Sequence, residues 1–406
     1  MHRRSVEVRQ AREQAEEEPE PVPEELLEKA RTLLENPGLL DIAATTMTHL
    51  GLCGEEINRR VTFLAAVGGH LEDPIHLVIH GASSGGKNQL IRSATALLPP
   101  DRVLWLSGLS SRALEYRGGL IDGVVALDEA EAMEDATYSL RVAMSEGRVT
   151  RLTVNRSQTG RLEAEELEVE VRASIITTTT SPALHEENET RVFDLWIDES
   201  ENLTVEVIRA YADAAAGAQP YNRDELLTVW HIAMDLLEPA RVVIPYAPLI
   251  GGAFPASPLR ARRDFQRTLA LIRACALLHQ CQRDRDEEGR VIASAQDYRH
   301  VFQIVQAILG SSMTGLTEKA KELCRLHNEM AADTRDGWIR RAELQHEAGL
   351  RGVASPVTVQ KWCERLRDLG IWDGRKVGGA WEHRALRDFE TEAIPLPAPD
   401  DLSNAS

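Results

Sequence analysis

Apolar positions fall into three regimes along the chain. From Pro23 to Val67 they recur every three or four residues. Leu26, Leu27, Ala30, Leu33 and Leu34 share a stripe that Asn36-Pro-Gly ends, and similar stripes cover Leu39–Leu50 and Glu55–Val67. This spacing predicts three helices. From Pro74 to about Glu199 continuous apolar runs take over, at 75–80, 103–106, 123–128, 173–180 and 192–197, with helical segments at 86–98, 110–116 and 134–146 between them. Such runs suit strands covered on both faces, and strands separated by helices build a parallel sheet. Beyond Glu199 the helical spacing returns. Asn222-Arg-Asp-Glu225 reads as a capping box before Leu226–Leu237, and further helices span about Arg263–Gln282 and Ala295–Leu309, with the charged loop Asp284–Gly289 between them.

Two stretches depart from these regimes. Val149–Val171 alternates around Ser157-Gln-Thr-Gly160, which predicts a β-hairpin carrying Arg151, Arg156 and Arg161. Those arginines either contact phosphates or are a solvated face. Trp338–Leu386 reads as helix, helix, hairpin, the pattern of a winged helix. Ser355-Pro356 starts its second helix, with Thr358, Gln360, Lys361, Arg365 and Arg367 available for an outer face and Val357, Val359, Trp362 and Leu366 nearer the core. Lys361 and Arg365 are its candidate DNA contacts; the alternative is a protein-interaction lid. The expected division is a disordered acidic tail 1–23, a helical lead-in 24–70, an α/β core 71–220 with its hairpin at 149–171, a helical lid 221–330, a winged helix 331–392 and a disordered tail 393–406.

Composition narrows the picture. Aromatics make up only 5% of the 406 residues while 43% are hydrophobic, so aliphatic side chains and alanines must build the core. A net charge of −18 argues against indiscriminate coating of nucleic acid, yet Arg260, Arg262, Arg263 and Arg267 crowd one helix start. Arginine there opposes the helix dipole and hints at an anionic partner, unless the face is simply solvated. Cys53, Cys275, Cys281, Cys324 and Cys363 form no C-x-x-C pair, which argues against zinc and for buried thiols in a reducing cytoplasm. His70, His76 and His80 lack ligand spacing and read as structural. Neither an apolar run of membrane length nor a signal-peptide pattern is present, so a soluble, cytoplasmic protein without membrane contact is expected.

The chemistry concentrates in Leu77-Val-Ile-His-Gly-Ala-Ser-Ser-Gly-Gly-Lys-Asn88. An apolar run breaks into a glycine-rich turn, ends in lysine and continues as a helix, which is the context of a phosphate-binding loop. Gly81, Ala82, Ser83, Ser84, Gly85, Gly86, Lys87, Asn88 and Gln89 are the candidate cradle for ATP, with Lys87 placed for the β- and γ-phosphates. Asn88 stands where Ser or Thr usually holds Mg2+. An ordinary glycine turn is the competing reading. Downstream, Gly123-Val-Val-Ala-Leu-Asp-Glu129 ends a buried strand in two carboxylates. Asp128 is the candidate magnesium group beside Asn88, and Glu129 the candidate that polarises water; an acidic helix start is the bland alternative.

With these motifs placed, roughly residues 55 to 390 resemble AAA+ ATPases of the minichromosome-maintenance (MCM) helicase type and the helicase part of phage and mobile-element primase-helicases. Gly123–Met133 looks like the family's Walker B strand and following helix. Thr190-Arg-Val-Phe-Asp-Leu195 is similar to its Ser-Arg-Phe-Asp-Leu segment, with Val192 as an extra residue. The resemblance implies an AAA+ parallel-sheet fold with a helical lid and a C-terminal winged helix. It assigns an arginine finger to Arg191, the sensor-1 position to Thr180 or Ser181, and the sensor-2 arginine to Arg267 in preference to Arg263. It also implies a homo-oligomeric ring, a hexamer, that hydrolyses ATP between subunits and drives single-stranded DNA past the 149–171 hairpin. An ATP-switched DNA-binding regulator or loader is the alternative.

Overall fold

The structure is a computed structural model and describes residues 22–108, 119–129, 137–156, 162–180, 192–217, 222–256, 261–313, 318–332, 334–368, 371–386 and 395–402. Three helices lead in: α1 (Glu24–Leu34), α2 (Leu39–His49) and α3 (Glu56–Val67). The sheet follows with β1 (Leu77–His80), α4 (Lys87–Thr95), β2 (Val103–Leu106), β3 (Gly119–Leu127), α5 (Thr137–Glu146), β4 (Arg148–Arg156), β5 (Leu162–Thr179) and β6 (Phe193–Trp196). Its order is β2-β3-β5-β1-β6, parallel throughout, with β4 antiparallel to β5 and off that path. This mostly parallel α/β sheet with helices is the fold class that the apolar runs predict.

Alternate residues of the strands feed two cores, as a period of two requires. Val124 and Ala126 of β3 join Leu77, Ile79 and Ile176 beneath the helical side, whereas Val125, Leu127 and Ile175 pack with Leu140 and Ala143 of α5. Gly123 has φ +93°, and a Cβ there would run into the backbone of Arg102, so only glycine opens the buried half of β3 in this way.

The hairpin is longer than expected. Rather than ending near 171 and leaving a separate strand at 173–180, its second arm runs unbroken through β5 for 18 residues. Arg148–Arg156 pairs along Leu162–Glu170, and from Val169 onward β5 already pairs with β3, so no break intervenes. The expected helix at 110–116, residues 134–136 and the turn at 157–160 lie outside the described residues.

Beyond β6 come α6 (Glu201–Ala215), which the sequence reading passed over, α7 (Arg223–Asp235), β7 (Val242–Val243), α8 (Ala247–Ala253), α9 (Ala261–Leu278), β8 (Val291–Ile292) and α10 (Ala295–Met313). Asn222 caps α7 by accepting from the Glu225 N–H at 3.4 Å, as the capping box implies. Helices α7, α9 and α10 bury Trp230, Ile272 and Tyr298 in the same core as α1–α4.

The C-terminal unit has its own core. It comprises α11 (Glu318–Ala332), β9 (Ile339–Arg340), α12 (Arg341–Leu350), α13 (Pro356–Asp368), β10 (Trp372–Val377) and β11 (Ala380–Ala385), with sheet order β10-β11-β9. Leu323, Leu344, Val359, Cys363, Leu366 and Trp372 fill it. One core assignment is corrected: Val357 is 66% exposed, while Cys363, in register with Val359 and Leu366, is fully buried. The disordered tail expected after residue 392 is corrected for residues 395–402. Leu396 and Leu402 pack on the main core, the Tyr298 hydroxyl donates to the Pro397 carbonyl at 2.9 Å, and Pro399–Leu402 forms a short helix, α14. Two leucines anchoring eight residues outweigh the proline-rich composition that suggests disorder.

Candidate nucleotide site

Strand β1 delivers the glycine loop at the carboxyl end of the sheet, where an open α/β fold binds its ligands. Ser84 (φ +68°) and Gly86 (φ +90°) adopt left-handed backbone, which curls the loop, and within the curl the Gly85 N–H donates to the Ala82 carbonyl at 3.2 Å. Gly86 is also the N-cap of α4, whose first turn has N–H groups without intrahelical acceptors. Residues 82–86 are exposed and Lys87 is buried. The Lys87 ammonium donates to the carbonyls of Gly81 (2.8 Å) and Ala82 (2.6 Å), so its charge is already turned back over the loop. Gln89 instead donates to Ser93 along α4 at 3.4 Å and so is held away from the concavity.

Sequence reasoning missed Glu199, which follows β6. Its carboxylate accepts a short hydrogen bond from the Ala82 N–H at the base of the loop. A carboxylate seated on this backbone shows that the loop draws anionic oxygen, and the donors and lysine present fit a polyphosphate.

The two carboxylates differ. Asp128 is half-buried and held on both oxygens: Trp105 Nε1 donates to Oδ1 and Ser107 Oγ to Oδ2, each at 3.0 Å. Arg92 lies over the Trp105 ring at 4.2 Å and fixes that indole in turn. Glu129, one residue on, is exposed. At the end of β5 the contact falls on Thr178, not Thr180. The Thr178 hydroxyl donates to the Asp128 carbonyl in a short bond and lies 3.4 Å from Asn88 Oδ1, whereas Thr180 is exposed past the strand end. Asn88 and Asp128, the pair assigned to magnesium, are thereby linked through one hydroxyl.

Arg267 sits elsewhere. It pairs with Asp264 at 3.2 Å, lies over the Phe193 ring at 5.2 Å and donates a short bond to the Val192 carbonyl. Phe193 opens β6 opposite Leu77, so Arg267 stands at the amino end of the sheet, remote from its own chain's loop. Arg191, the residue before Val192, lies outside the described residues, as do Arg161 and Arg260; nothing is described of the Arg156 side chain, whose backbone belongs to β4. Arg151 is half-buried on β4. Lys361 and Arg365 are exposed on α13 in the C-terminal unit.

The histidines are structural, as expected for His76 and His80. His76 is buried, accepts from the Ile175 N–H at 3.1 Å, and burial pushes its pKa down to about 4. His80 pairs with Asp194 at 3.0 Å and stacks on Trp196. Cys275, His279 and Asp297 do converge, all three buried, with ligand atoms within 4.8 Å of one another. Arg283 already grips both Asp297 oxygens at 2.7 and 2.8 Å, Ser294 takes one of them as well, and His279 is bonded to the Cys275 carbonyl. An arginine in the ligand shell opposes a cation, so this cluster serves to clamp α9 to α10. Among the described residues, no helix is long and apolar enough to cross a membrane.

The model of the MTBMA_p00010 P-loop domain family matches residues 27–229, half of the chain. No curated protein sequence matches the chain. An MCM homolog from Methanopyrus kandleri is similar in structure at 15% identity and TM-score 0.46, covering 73% of this chain and 64% of its own, so the chain spans just under two thirds of that homolog. A candidate ATPase from Cytophaga hutchinsonii has 12% identity and TM-score 0.38, with 68% of this chain and 87% of that chain covered. The ORC1 protein of Aeropyrum pernix, solved in complex with DNA, has 14% identity and TM-score 0.26, with 87% and 93% covered.

Proposed function

The chain belongs to the MTBMA_p00010 P-loop domain family, and from that premise we propose that it is an AAA+ ATPase that works as an ATP-dependent DNA motor, an MCM-like replicative helicase of a phage or mobile element. Lys87 and the N–H groups of Ser84, Gly86, Lys87 and Asn88 would hold the phosphates, and Asn88 and Asp128 would hold Mg2+, directly or through water. Bound magnesium offsets charge on the β- and γ-phosphate oxygens. Glu129, exposed beside the held Asp128, orients the attacking water. Trp105 and Ser107 keep the Asp128 carboxylate in place, and Thr178 holds its backbone carbonyl.

The observation that carries the reading is the separation of charge. Arg267 and the backbone next to Arg191 lie at the sheet's amino end, away from their own chain's loop. An arginine there reaches nucleotide only on another copy, so a closed ring, a hexamer in this reading, supplies the missing charge in trans. The β4–β5 hairpin extends from the same sheet and is the element we assign to single-stranded DNA, through Arg151, Arg156 and Arg161. The C-terminal unit, read as a winged helix, offers Lys361 and Arg365 to duplex DNA.

The test is a steady-state ATPase assay with parent, Arg191→Ala and Arg267→Ala chains, alone and mixed with Lys87→Ala. Turnover in either arginine variant should fall about 10³-fold, the scale of a lost arginine finger. Mixing should restore part of it, because each Lys87→Ala copy still donates its arginines. Full turnover by Arg191→Ala alone would overturn the trans reading. The exposed Lys361 and Arg365 on a unit with its own core favour a second reading, an ATP-switched DNA-binding regulator or loader. Strand displacement on forked DNA separates it from a processive motor.

A further inference from the structure

Helix α6 is amphipathic, and only one side of it meets its own chain, where Leu203 lies against Gly54 and Leu203, Val207 and Ala210 are half-buried. None of its 15 residues is buried, and Val205 (39%), Ile208 (60%) and Tyr211 (67%) are exposed at helical spacing. An exposed apolar stripe of this kind on a helix marks a docking face. The segment is also acidic, with Asp198, Glu199 and Glu201 at its start and Glu206 and Asp213 along it.

The complementary surface lies at the other end of the sheet. A cleft of about 1320 Å3 opens between α9 and the amino ends of β1 and β6, with Phe193, Phe265 and Leu269 among its apolar lining. Six arginines and four carboxylates line it, which leaves it cationic in a chain of net charge −18. Arg172 is paired with Glu170 and Arg241 with Glu72, while Arg262 and Arg263 on α9 are exposed. A helix with its side chains is about 12 Å across and rises about 5.4 Å per turn, so the space suits roughly two turns.

We infer that α6 of one copy seats in the arginine cleft of the next. Helix α6 leaves the carboxyl end of β6 and the cleft sits at its amino end, so the contact is head-to-tail between copies. The inference rests on the ring reading above and adds the element that joins neighbours. It also couples the joint to nucleotide, because Glu199, bonded to the Ala82 N–H, immediately precedes Ser200, the α6 N-cap.

The test uses the full chain in sedimentation velocity, with and without magnesium and a non-hydrolysable triphosphate. Ile208→Asp spoils the helix face and Arg263→Glu spoils the cleft. Both positions are exposed, so melting temperatures should match the parent, and Tyr211→Asp serves as a second helix variant. Each variant alone should stay monomeric at tenfold the concentration at which the parent assembles. In an equimolar mixture, Ile208→Asp copies keep an intact cleft and Arg263→Glu copies keep an intact helix, so pairs should form and growth should stop at two. A variant that assembles like the parent, a mixture that forms no pairs, or a parent that stays monomeric overturns the inference. So does an Arg263→Glu chain that assembles normally but loses single-stranded DNA, since the cleft would then hold nucleic acid. Calorimetry on the same samples keeps the readings apart: absence of triphosphate uptake by the parent defeats the ATPase proposal, while the pairing result still decides the docking.

Discussion

At the carboxyl end of the parallel sheet the polar side chains hold one another. Lys87 is bonded to two loop carbonyls, both Asp128 carboxylate oxygens are taken, and Thr178 donates to the Asp128 backbone carbonyl. At the amino end, Arg262 and Arg263 stand exposed in a cleft lined by six arginines and four carboxylates. The first arrangement is preorganised, so a nucleotide meets dipoles and charges that need little movement. The second has cationic surface left over, which is where the proposed neighbour would sit. In this reading one sheet carries a nucleotide site at one end and the joint to a neighbour at the other.

The strongest way to break this comparison is Lys87→Ala. It removes the one ammonium on the loop, and turnover should fall about 100-fold, in the range seen when a single preorganised donor is lost. Triphosphate affinity measured by calorimetry should fall with it. A Lys87→Ala chain that turns over at the parent's rate would move the chemistry away from this end of the sheet.

Trp105→Phe probes preorganisation more gently. The ring stays for Arg92 to cover, but the N–H that fixes Asp128 Oδ1 is gone. Magnesium-dependent turnover should drop about tenfold, the usual cost of removing a group that orients a metal ligand. Triphosphate affinity without magnesium should stay the same. Equal losses in both measurements would mean that Trp105 only supports packing.

How much of this was legible follows the range of the forces involved. The loop and β3 announce themselves because glycine turns and continuous apolar runs are local signals, and they land where expected. Thr178 could not be picked from Thr177-Thr-Thr-Thr180, because the choice depends on where β5 stops and on β3 lying beside it. Trp105, Ser107 and Glu199 act through neighbours that only the strand order brings close. Helix α6 did carry a local signal: the Ser200 hydroxyl accepts from the Leu203 N–H, and apolar residues recur at helical spacing behind it. The C-terminal segment misled because composition cannot show that Leu396 and Leu402 find a distant core.

Acid should act on the amino end and on the C-terminal unit. Burial pushes His76, which lines the cleft, and His383 of the C-terminal unit each down to about 4 from 6.5. A folded pKa below the unfolded one means that the unfolded chain binds the proton first. The stabilisation is therefore whole above pH 6.5 and drains as pH falls from 6.5 toward 4. Melting temperature should decline through that window. His76→Gln should melt lower than the parent at pH 7.5 and show a shallower decline. An unchanged slope would exclude His76 as a source of the acid lability.

The smallest effect is expected at Asn88. The Thr178 hydroxyl has one proton to donate, and its short bond to the Asp128 carbonyl takes most of it, so the 3.4 Å approach to Asn88 Oδ1 is weak. Asn88 is then the loosest member of an otherwise fixed set, and its carboxamide oxygen sits one bond further from the backbone than a hydroxyl at the same helix position would. Asn88→Ser should keep the helix start and shorten the side chain, raising turnover a few-fold and lowering the magnesium concentration needed for half-maximal rate. If turnover falls instead, the carboxamide is positioned by something beyond Thr178, and the carboxyl end of the sheet is even more tightly preorganised than its hydrogen bonds indicate.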